Sequence, residues 1–261
     1  MALSWLYQIP TLWMGVLVVG FFLAVSVAGL LITRPWRRKL VHADNDFANY
    51  YVATVAVIYA VLIGLIAAAS WGDFSAVEDV VSQEANAVSS IYRNAEVYPP
   101  EVRAKIRGLL REYVSHVIDE EWKTQRRGVV PKNHNLLVRR IGQELVHFEP
   151  RTPGQQAVHL ASLRELDEFL ANRRLRLEAV RSNLPGLMWA VLLAGGVLTV
   201  MMTFFFWSDS SRMHVVLNMA LAMTIGLVIF LILALDRPLV GSVSVQPTVF
   251  QEVLEMMAEG G

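Results

Sequence analysis

The sequence feature that most constrains the fold is a continuous uncharged run in the first third of the chain. From Tyr50 to Trp71 there is no Asp, Glu, Lys, Arg or His. At ~1.5 Å rise per residue, a helix of this length crosses a hydrocarbon core of ~30 Å. Tyr50, Tyr51 and Trp71 mark its ends, where aromatic rings prefer the headgroup region. The run therefore predicts a transmembrane helix. Ser75 and Glu78, spaced as a capping box, predict that a soluble helix continues directly from it.

Three other apolar segments are long enough to cross a membrane. They run from about Leu12 to Thr33, from about Leu187 to Trp207 and from about Val215 to Leu235. The last two are joined by a short loop, so they are predicted to be antiparallel neighbours. With 54% hydrophobic residues, the chain is too apolar for one soluble domain. Its charged middle segment is equally unsuited to a purely membranous bundle.

The segment between the second and third spans reads as a helical domain. Pro99 and Pro100 suit the first turn of a helix that ends near Gly128. Its apolar residues recur at helical spacing: Val102, Ile106, Leu109, Leu110, Tyr113 and Val117. A shorter helix follows between Leu136 and Val146. Thr152 and Gln155 form a second capping box, which opens a long helix toward the third span.

The predicted fold is therefore all-α, with four transmembrane spans and a helical soluble domain inserted between spans two and three. Residues 1–71 hold spans one and two, and residues 72–184 form the helical domain. Residues 185–237 hold spans three and four, and residues 238–261 form a C-terminal tail with a short helix. The middle segment is long enough for a modest bundle core.

The charges of the short loops predict the orientation in the membrane. Lys and Arg accumulate in cytoplasmic loops. The loop between spans one and two carries Arg34, Arg37, Arg38 and Lys39, whereas the tails carry only Arg237. This pattern favours a helical domain outside the cytoplasm. The difference is reduced by the basic residues that precede the third span: Arg173, Arg174, Arg176 and Arg181.

Composition and motifs argue against several classes of function. A formal net charge of zero, without a long Lys/Arg run, does not favour nucleic-acid binding. The absence of cysteine excludes disulfides and thiolate sites. There is no Gly-rich phosphate loop, HExxH motif or nucleophile elbow, so we expect neither an enzyme nor a cofactor. No charged side chain falls in the middle of a span, which counts against a coupled transporter.

Two groups of side chains before and after the second span are candidates for binding ions. His42, Asp44 and Asp46 could hold a divalent ion if their loop is extended. The alternative is that they cap the second helix and satisfy its N-terminal N–H groups. A basic group could attract anions or lipid headgroups: Arg139, Arg140, Arg173, Arg174 and Arg176. The alternative is a solvated face whose arginines pair with nearby Glu and Asp, and this interpretation is favoured.

Two further candidates lie on predicted helices. Glu112, His116 and Glu120 follow one another at four-residue spacing and therefore share one helix edge. This edge is either a metal-binding or proton-sensing stripe or a solvated flank. Asn218 lies well inside the fourth span, where an amide either hydrogen-bonds across helices or lines a pathway.

Several short motifs resemble those of a known family. They are His42-Ala43-Asp44-Asn45-Asp46 before the second span, Tyr59-Ala60-Val61-Leu62 within it, Glu120-Glu121-Trp122 in the domain, and Leu235-Asp236-Arg237-Pro238 with Gly241 after the last span. Together they resemble a family of four-span bacterial membrane proteins described as bestrophin-like or DUF4239, over nearly the whole chain. Bestrophins are pentameric anion channels, in which the second span lines the pore and the helical domain lies in the cytosol. The resemblance thus implies a homo-oligomer in the bacterial inner membrane.

These observations lead to one main hypothesis and one alternative. The main hypothesis is a passive anion channel in which copies of the second span surround an axis. Its pore would be lined by Ala56, Tyr59, Ile63 and Ala67, and a mostly apolar lining of this kind could gate by dewetting. The other interpretation of the same face is packing against a neighbouring span. The alternative function is a membrane-anchored sensor or scaffold without a pore, whose helical domain binds a partner. The predicted partners are the lipid bilayer, ions and further copies of the chain.

Overall fold

The computed structural model describes residues 7, 9–40, 45–131, 135–205 and 211–259, with the backbone alone given for 34–40, 45–49, 205 and 211. Within these residues the secondary structure is entirely helical, which confirms the predicted class. The α-helices are α1 (Thr11–Leu40), α2 (Asn45–Asn94), α3 (Pro100–His116), α4 (Trp122–Arg126), α5 (Asn135–Val146), α6 (Pro153–Ala179), α7 (Gly186–Met202), α8 (Ser211–Leu235) and α9 (Thr248–Glu259). A π-helical turn, Val117–Glu121, joins α3 to α4.

The chain divides into two compact units. One consists of Met1–Gly72 and Asn183–Asp236, and is called the membrane unit here. The other consists of Asp73–Ser182 and Arg237–Gly261, and is called the helical domain. The C-terminal tail, which sequence analysis left as a separate segment, thus belongs to the helical domain.

Helix α2 is the longest element and runs without interruption from Asn45 to Asn94. The predicted continuity is confirmed, since no proline interrupts the helix between these residues. The predicted cap is not formed: Ser75 and Glu78 lie well inside α2 rather than at a helix start.

Among the described residues, three helices are long and apolar enough to cross a membrane, namely α1, α2 and α8. The third predicted span corresponds to α7, which has 17 residues and continues as a 3-10 turn, Thr203–Phe205. A helix of that length reaches ~26 Å, near the lower limit for a span. The membrane unit has its own core, which includes Phe22, Leu192 and Ile229.

The helical domain packs α3, α5, α6, α9 and the second half of α2 around one apolar core. The stripe predicted on α3 is confirmed at its centre, since Ile106, Leu110 and Tyr113 are all buried. The predicted end near Gly128 is also confirmed: Gly128 has a φ of 74°, a conformation that glycine adopts without strain, and its N–H donates to the Gln125 carbonyl at 2.7 Å. The second predicted capping box exists, because the Gln155 N–H donates to Thr152 Oγ1 at 3.2 Å.

Candidate functional site

The predicted pore face of α2 is covered by other helices of the same chain. Tyr59 and Ile63 are 6% and 8% exposed, and Ala56 and Ala67 are half-buried. Tyr59 and Ile63 belong to the core of the membrane unit, and Ala67 packs against it. The structure therefore places this face in the packing of a single chain, the second of the two interpretations that the sequence left open.

The contacts of the Tyr59 side chain explain this packing. Its hydroxyl donates to the Leu192 carbonyl on α7 at 3.0 Å. Gly195 leaves room for the ring, because a Cβ there would lie 2.6 Å from it. Gly196 likewise leaves room for the Tyr59 hydroxyl, because a Cβ at Gly196 would lie 2.9 Å from the hydroxyl oxygen. Small residues on α7 thus make room for the Tyr59 side chain, a use of glycine that is common within membranes.

The opposite side of α2 is left uncovered in a single chain. Val57, Val61 and Leu65 follow one another at four-residue spacing and are 63%, 58% and 66% exposed. Gly64 lies between Val61 and Leu65, Ala68 follows them, and both are also exposed. At about 100° per residue, Val61 and Ala68 point away from Ile63 by roughly half a turn. Between Val57 and Ala68, this exposed side of α2 is an apolar stripe without a charged residue, called the open face below.

Asn218 takes part in a small polar cluster at the start of α8. Its Nδ2 donates to the His214 carbonyl at 2.9 Å, and Oδ1 accepts a hydrogen bond from the Thr203 hydroxyl. Both Asn218 and His214 are buried. The amide therefore links α8 to the end of α7, as expected for a polar group that stabilises helix packing.

The structure does not assemble Glu112, His116 and Glu120 into a metal site. Within the residues that it describes, no three His, Asp or Glu side chains are grouped closely enough to hold a metal ion. Glu112 and Glu120 are exposed, and the π-helical turn after His116 shifts Glu120 off the shared helix edge. His42 and Asp44 lie outside the described residues, as does the side chain of Asp46.

The polar site that sequence analysis missed is a buried ion-pair cluster in the helical domain, formed by Glu84, Tyr113, Glu121, Arg173 and Arg176. All five residues are at most 3% exposed. They come from α2, α3, the π-helical turn and α6. Arg173 and Arg176 were predicted to be solvated, and this prediction is wrong for both. Arg174 between them is solvated, with its side chain 80% exposed.

The hydrogen bonds of the cluster run through both arginines. Arg176 Nε donates to Glu84 Oε2 at 2.6 Å, and Arg176 Nη2 donates to Glu84 Oε1 and Glu121 Oε2, both at 3.0 Å. Arg173 donates to the same Glu121 carboxylate at 2.7 and 3.1 Å. Arg173 Nη1 also donates to the Tyr113 hydroxyl at 2.7 Å, and that hydroxyl donates to Glu84. Two carboxylates and two guanidiniums thus close a network of balanced charge.

The protonation of the cluster follows from its geometry. Burial raises the pKa of Glu121, but hydrogen bonds from Arg173 and the charge of Arg176 outweigh it, so the pKa of Glu121 lies below its ordinary value. Burial and the nearby Glu84 raise the pKa of Tyr113 well above its ordinary value. Tyr113 is therefore a neutral hydroxyl that donates its proton, while Glu121 is an acceptor.

The π-helical turn determines which acidic residue enters the cluster. In an uninterrupted α-helix, the residue seven positions after Tyr113 shares its face, and that residue is Glu120. The wider turn inserts one residue, so Glu121 takes this position and Glu120 stays exposed. Trp122 follows directly, with its ring centroid 5.4 Å from the Arg176 guanidinium carbon and Nε1 donating to the Val245 carbonyl at 3.1 Å.

Two of the short sequence motifs thus have structural roles. Glu121 and Trp122 hold the ion-pair cluster, and Asp236 holds the membrane unit together. One Asp236 carboxylate oxygen accepts from the Tyr7 hydroxyl at 2.5 Å, and the other accepts from the Leu184 N–H at 2.6 Å. These contacts tie the end of α8 to the segment that precedes α7.

A comparison with protein families shows to which family the chain belongs. The model of the bestrophin-like domain matches residues 19–250, which is most of the chain. The chain belongs to the bestrophin-like family. No curated protein matches this bestrophin-like sequence.

Solved structures share its fold. A variant of a bacterial bestrophin homologue from Klebsiella pneumoniae matches with a TM-score of 0.73 and 13% sequence identity, covering 94% of this chain and 98% of the other. A second structure of a bestrophin homologue from that organism, phased with zinc, matches with a TM-score of 0.68 and 14% identity, covering 93% and 98%. At such identities the likeness establishes the fold.

Proposed function

We propose that this bestrophin-like protein is an oligomeric passive channel for anions in the bacterial inner membrane. Family membership supports the proposal, and so does the chemistry of the spans. From Tyr50 to Trp71 and from Val215 to Leu235 no residue carries a charge, so a proton or ion carrier would lack its usual coupling group. An uncoupled pore needs no such group.

The open face of α2 is the observation that carries the proposal. The face with Tyr59 and Ile63 is occupied within the chain, so only the open face is free to meet an axis shared with other copies. Val57, Val61 and Leu65 would form successive apolar rings there. Apolar constrictions of this kind gate ion flow by losing water. We therefore propose the open face, in place of the stripe from Ala56 to Ala67, as the pore lining.

Single cysteines test this assignment directly, because the natural chain has none. We expect a charged thiosulfonate reagent to change the current of Val61→Cys channels several-fold, since a charge added to an apolar ring changes its wetting. Ile63→Cys is the matched control on the buried face, and Leu17→Cys, on the exposed side of α1, controls for labelling in lipid. Currents are measured in planar bilayers with a chloride gradient. A response at Ile63 with none at Val61 would restore the original stripe as the lining.

The proposed function requires that the protein conducts ions and that several copies of the chain assemble. Purified protein in a chloride gradient is expected to conduct, and light scattering corrected for detergent is expected to give a multiple of the chain mass, five if the family resemblance extends to assembly. Correctly inserted oligomers that conduct no current over a range of voltages and calcium concentrations would favour the sensor or scaffold function instead.

We separately propose that the helical domain lies outside the cytoplasm, because the connection between the first and second spans is rich in Arg and Lys. We expect Ala76→Cys, an exposed position in the helical domain, to react with an impermeant maleimide added to intact spheroplasts. A cysteine at Ser210, in the loop between the last two spans, serves as the opposite marker. Labelling of Ala76→Cys only after membrane disruption would place the domain in the cytoplasm.

A further inference from the structure

A cavity of about 330 Å³ lies in the helical domain between α5 and α6. Its lining mixes apolar and charged side chains. Val138, Leu170 and Leu177 are among the apolar ones, and the charged ones are Arg173, Arg174, Glu178 and Arg181. Leu170 is 40% exposed, so the apolar part of the lining is accessible to a ligand.

The three arginines differ in how much of their charge is already compensated. Arg173 forms a bidentate pair with Glu121 in the ion-pair cluster. Arg174 Nε donates to Glu178 Oε1 at 3.0 Å, an exposed pair on one helix. The side chain of Arg181 is exposed and forms no ion pair or hydrogen bond with any residue that the structure describes. The cavity therefore has a net positive charge that is concentrated at Arg181.

We propose that this cavity binds a phosphate-bearing anion, and specifically the headgroup of an anionic phospholipid. Guanidiniums match phosphate oxygens in geometry and charge. The adjoining Leu170 and Leu177 suit the glycerol and first methylenes of a lipid. A free phosphate has no apolar group to contact these leucines. The volume is at the small end of ligand cavities, so it fits a headgroup better than a nucleotide.

The position of Arg181 in the chain makes a lipid the favoured source of the phosphate. Only Ser182–Pro185 separate Arg181 from Gly186, where α7 begins. Five peptide steps span at most about 17 Å. In the sequence, Arg181 thus comes five residues before the start of an apolar helix, a position at which basic side chains commonly meet anionic headgroups.

The test measures ligand-dependent thermal stability of the full chain in nonionic detergent. Dioctanoyl phosphatidylglycerol is expected to raise Tm in a saturable manner, and the zwitterionic phosphatidylcholine analogue is expected to have little effect. Arg181→Gln should raise the apparent Kd for the anionic lipid about fivefold, the effect of one basic residue at a membrane surface. Arg164→Gln, which removes an exposed arginine from α6 outside the cavity, should leave the Kd unchanged.

A second variant distinguishes the two sources of phosphate. Leu170→Gln should weaken binding of the anionic lipid without changing the response to inorganic phosphate. If inorganic phosphate binds as tightly as the lipid and Leu170→Gln changes neither, the cavity is a free-phosphate site. If Arg181→Gln keeps the natural Kd, or both lipids stabilise equally, the cavity is not an anion site and the proposal fails. None of these measurements requires a current, so the outcome is independent of the proposed channel.

Discussion

We expect Arg176→Met to lower the free energy of unfolding of the helical domain by about 3–5 kcal/mol. Arg176 is fully buried and donates to both Glu84 and Glu121. Removing it leaves Glu84 buried with the Tyr113 hydroxyl as its donor and with Arg173 Nη1 at 3.9 Å, beyond hydrogen-bond distance. Methionine fills a similar volume between Trp122 and Phe250, so the lost packing is small beside the electrostatic loss. In thermal unfolding followed by near-ultraviolet circular dichroism, the expected fall in Tm is roughly 10 °C or more.

The neighbouring arginines provide the control. Arg174→Met removes an arginine two positions away whose side chain is 80% exposed and whose pair with Glu178 is solvated, so it should change stability by less than about 0.5 kcal/mol. The double variant Glu84→Gln with Arg176→Met should recover part of the loss, because it removes the uncompensated carboxylate as well. Equal Tm values for the two single methionine variants would show that the buried network does not hold the domain together.

The helices of the domain were predictable because their local signals agree with their packing. On α3 the apolar residues recur every three to four positions, and Pro100 begins the helix. Gly128 follows the end of α4, into which α3 continues through the π-helical turn. On α6, Thr152 caps the first turn as its spacing with Gln155 indicates. On α3 the buried face is apolar and the exposed face is mostly polar, so periodicity identifies it. On α6 the buried face also holds His159, Arg173 and Arg176, so there the cap is the reliable signal.

The ion-pair cluster was missed because its arginines look like surface residues by type. Their positions carried a signal nevertheless. Arg173 and Arg176 continue the three- and four-residue spacing of Leu166 and Phe169 through to Val180, all of which are buried. Glu84 similarly lies between Val81 and Val88 on the buried side of α2. A charged residue in phase with an apolar stripe predicts a buried pair, provided that an opposite charge occurs in phase on another helix. The π-helical turn has no comparable signal, since its residues Val117–Glu121 also suit an α-helix.

The inward face of α2 could not be derived from the sequence for a different reason. Both sides of the span are apolar, because lipid and helix interior favour the same residue types. Tyr59 suggested a pore by its hydroxyl, but that hydroxyl donates to the Leu192 carbonyl, and the deciding features are two glycines on α7. Contacts of this kind depend on the partner helix and leave no periodic pattern in α2 itself.

The second large effect is expected at Gly226 on α8, where α1 approaches most closely. A Cβ at Gly226 would lie 2.9 Å from the Cα of Val19, and this neighbour is backbone that cannot rotate away. Gly226→Ala should therefore push α1 and α8 apart and lower stability by about 1–3 kcal/mol, the usual result of overpacking. A decrease in stability would be informative, because alanine favours a helix over glycine by about 1 kcal/mol when space is available. Helix propensity alone would therefore raise stability.

Gly20→Ala on α1 supplies the matched control, since no atom lies within 4 Å of the position of its Cβ. We expect this variant to be neutral or slightly stabilised in detergent, with Gly226→Ala clearly below the natural protein in Tm. Because the two substitutions change helix propensity equally, the difference between them isolates the contact with Val19. If Gly226→Ala is as stable as Gly20→Ala, α1 and α8 do not pack through this glycine, and the close approach of the two spans is refuted.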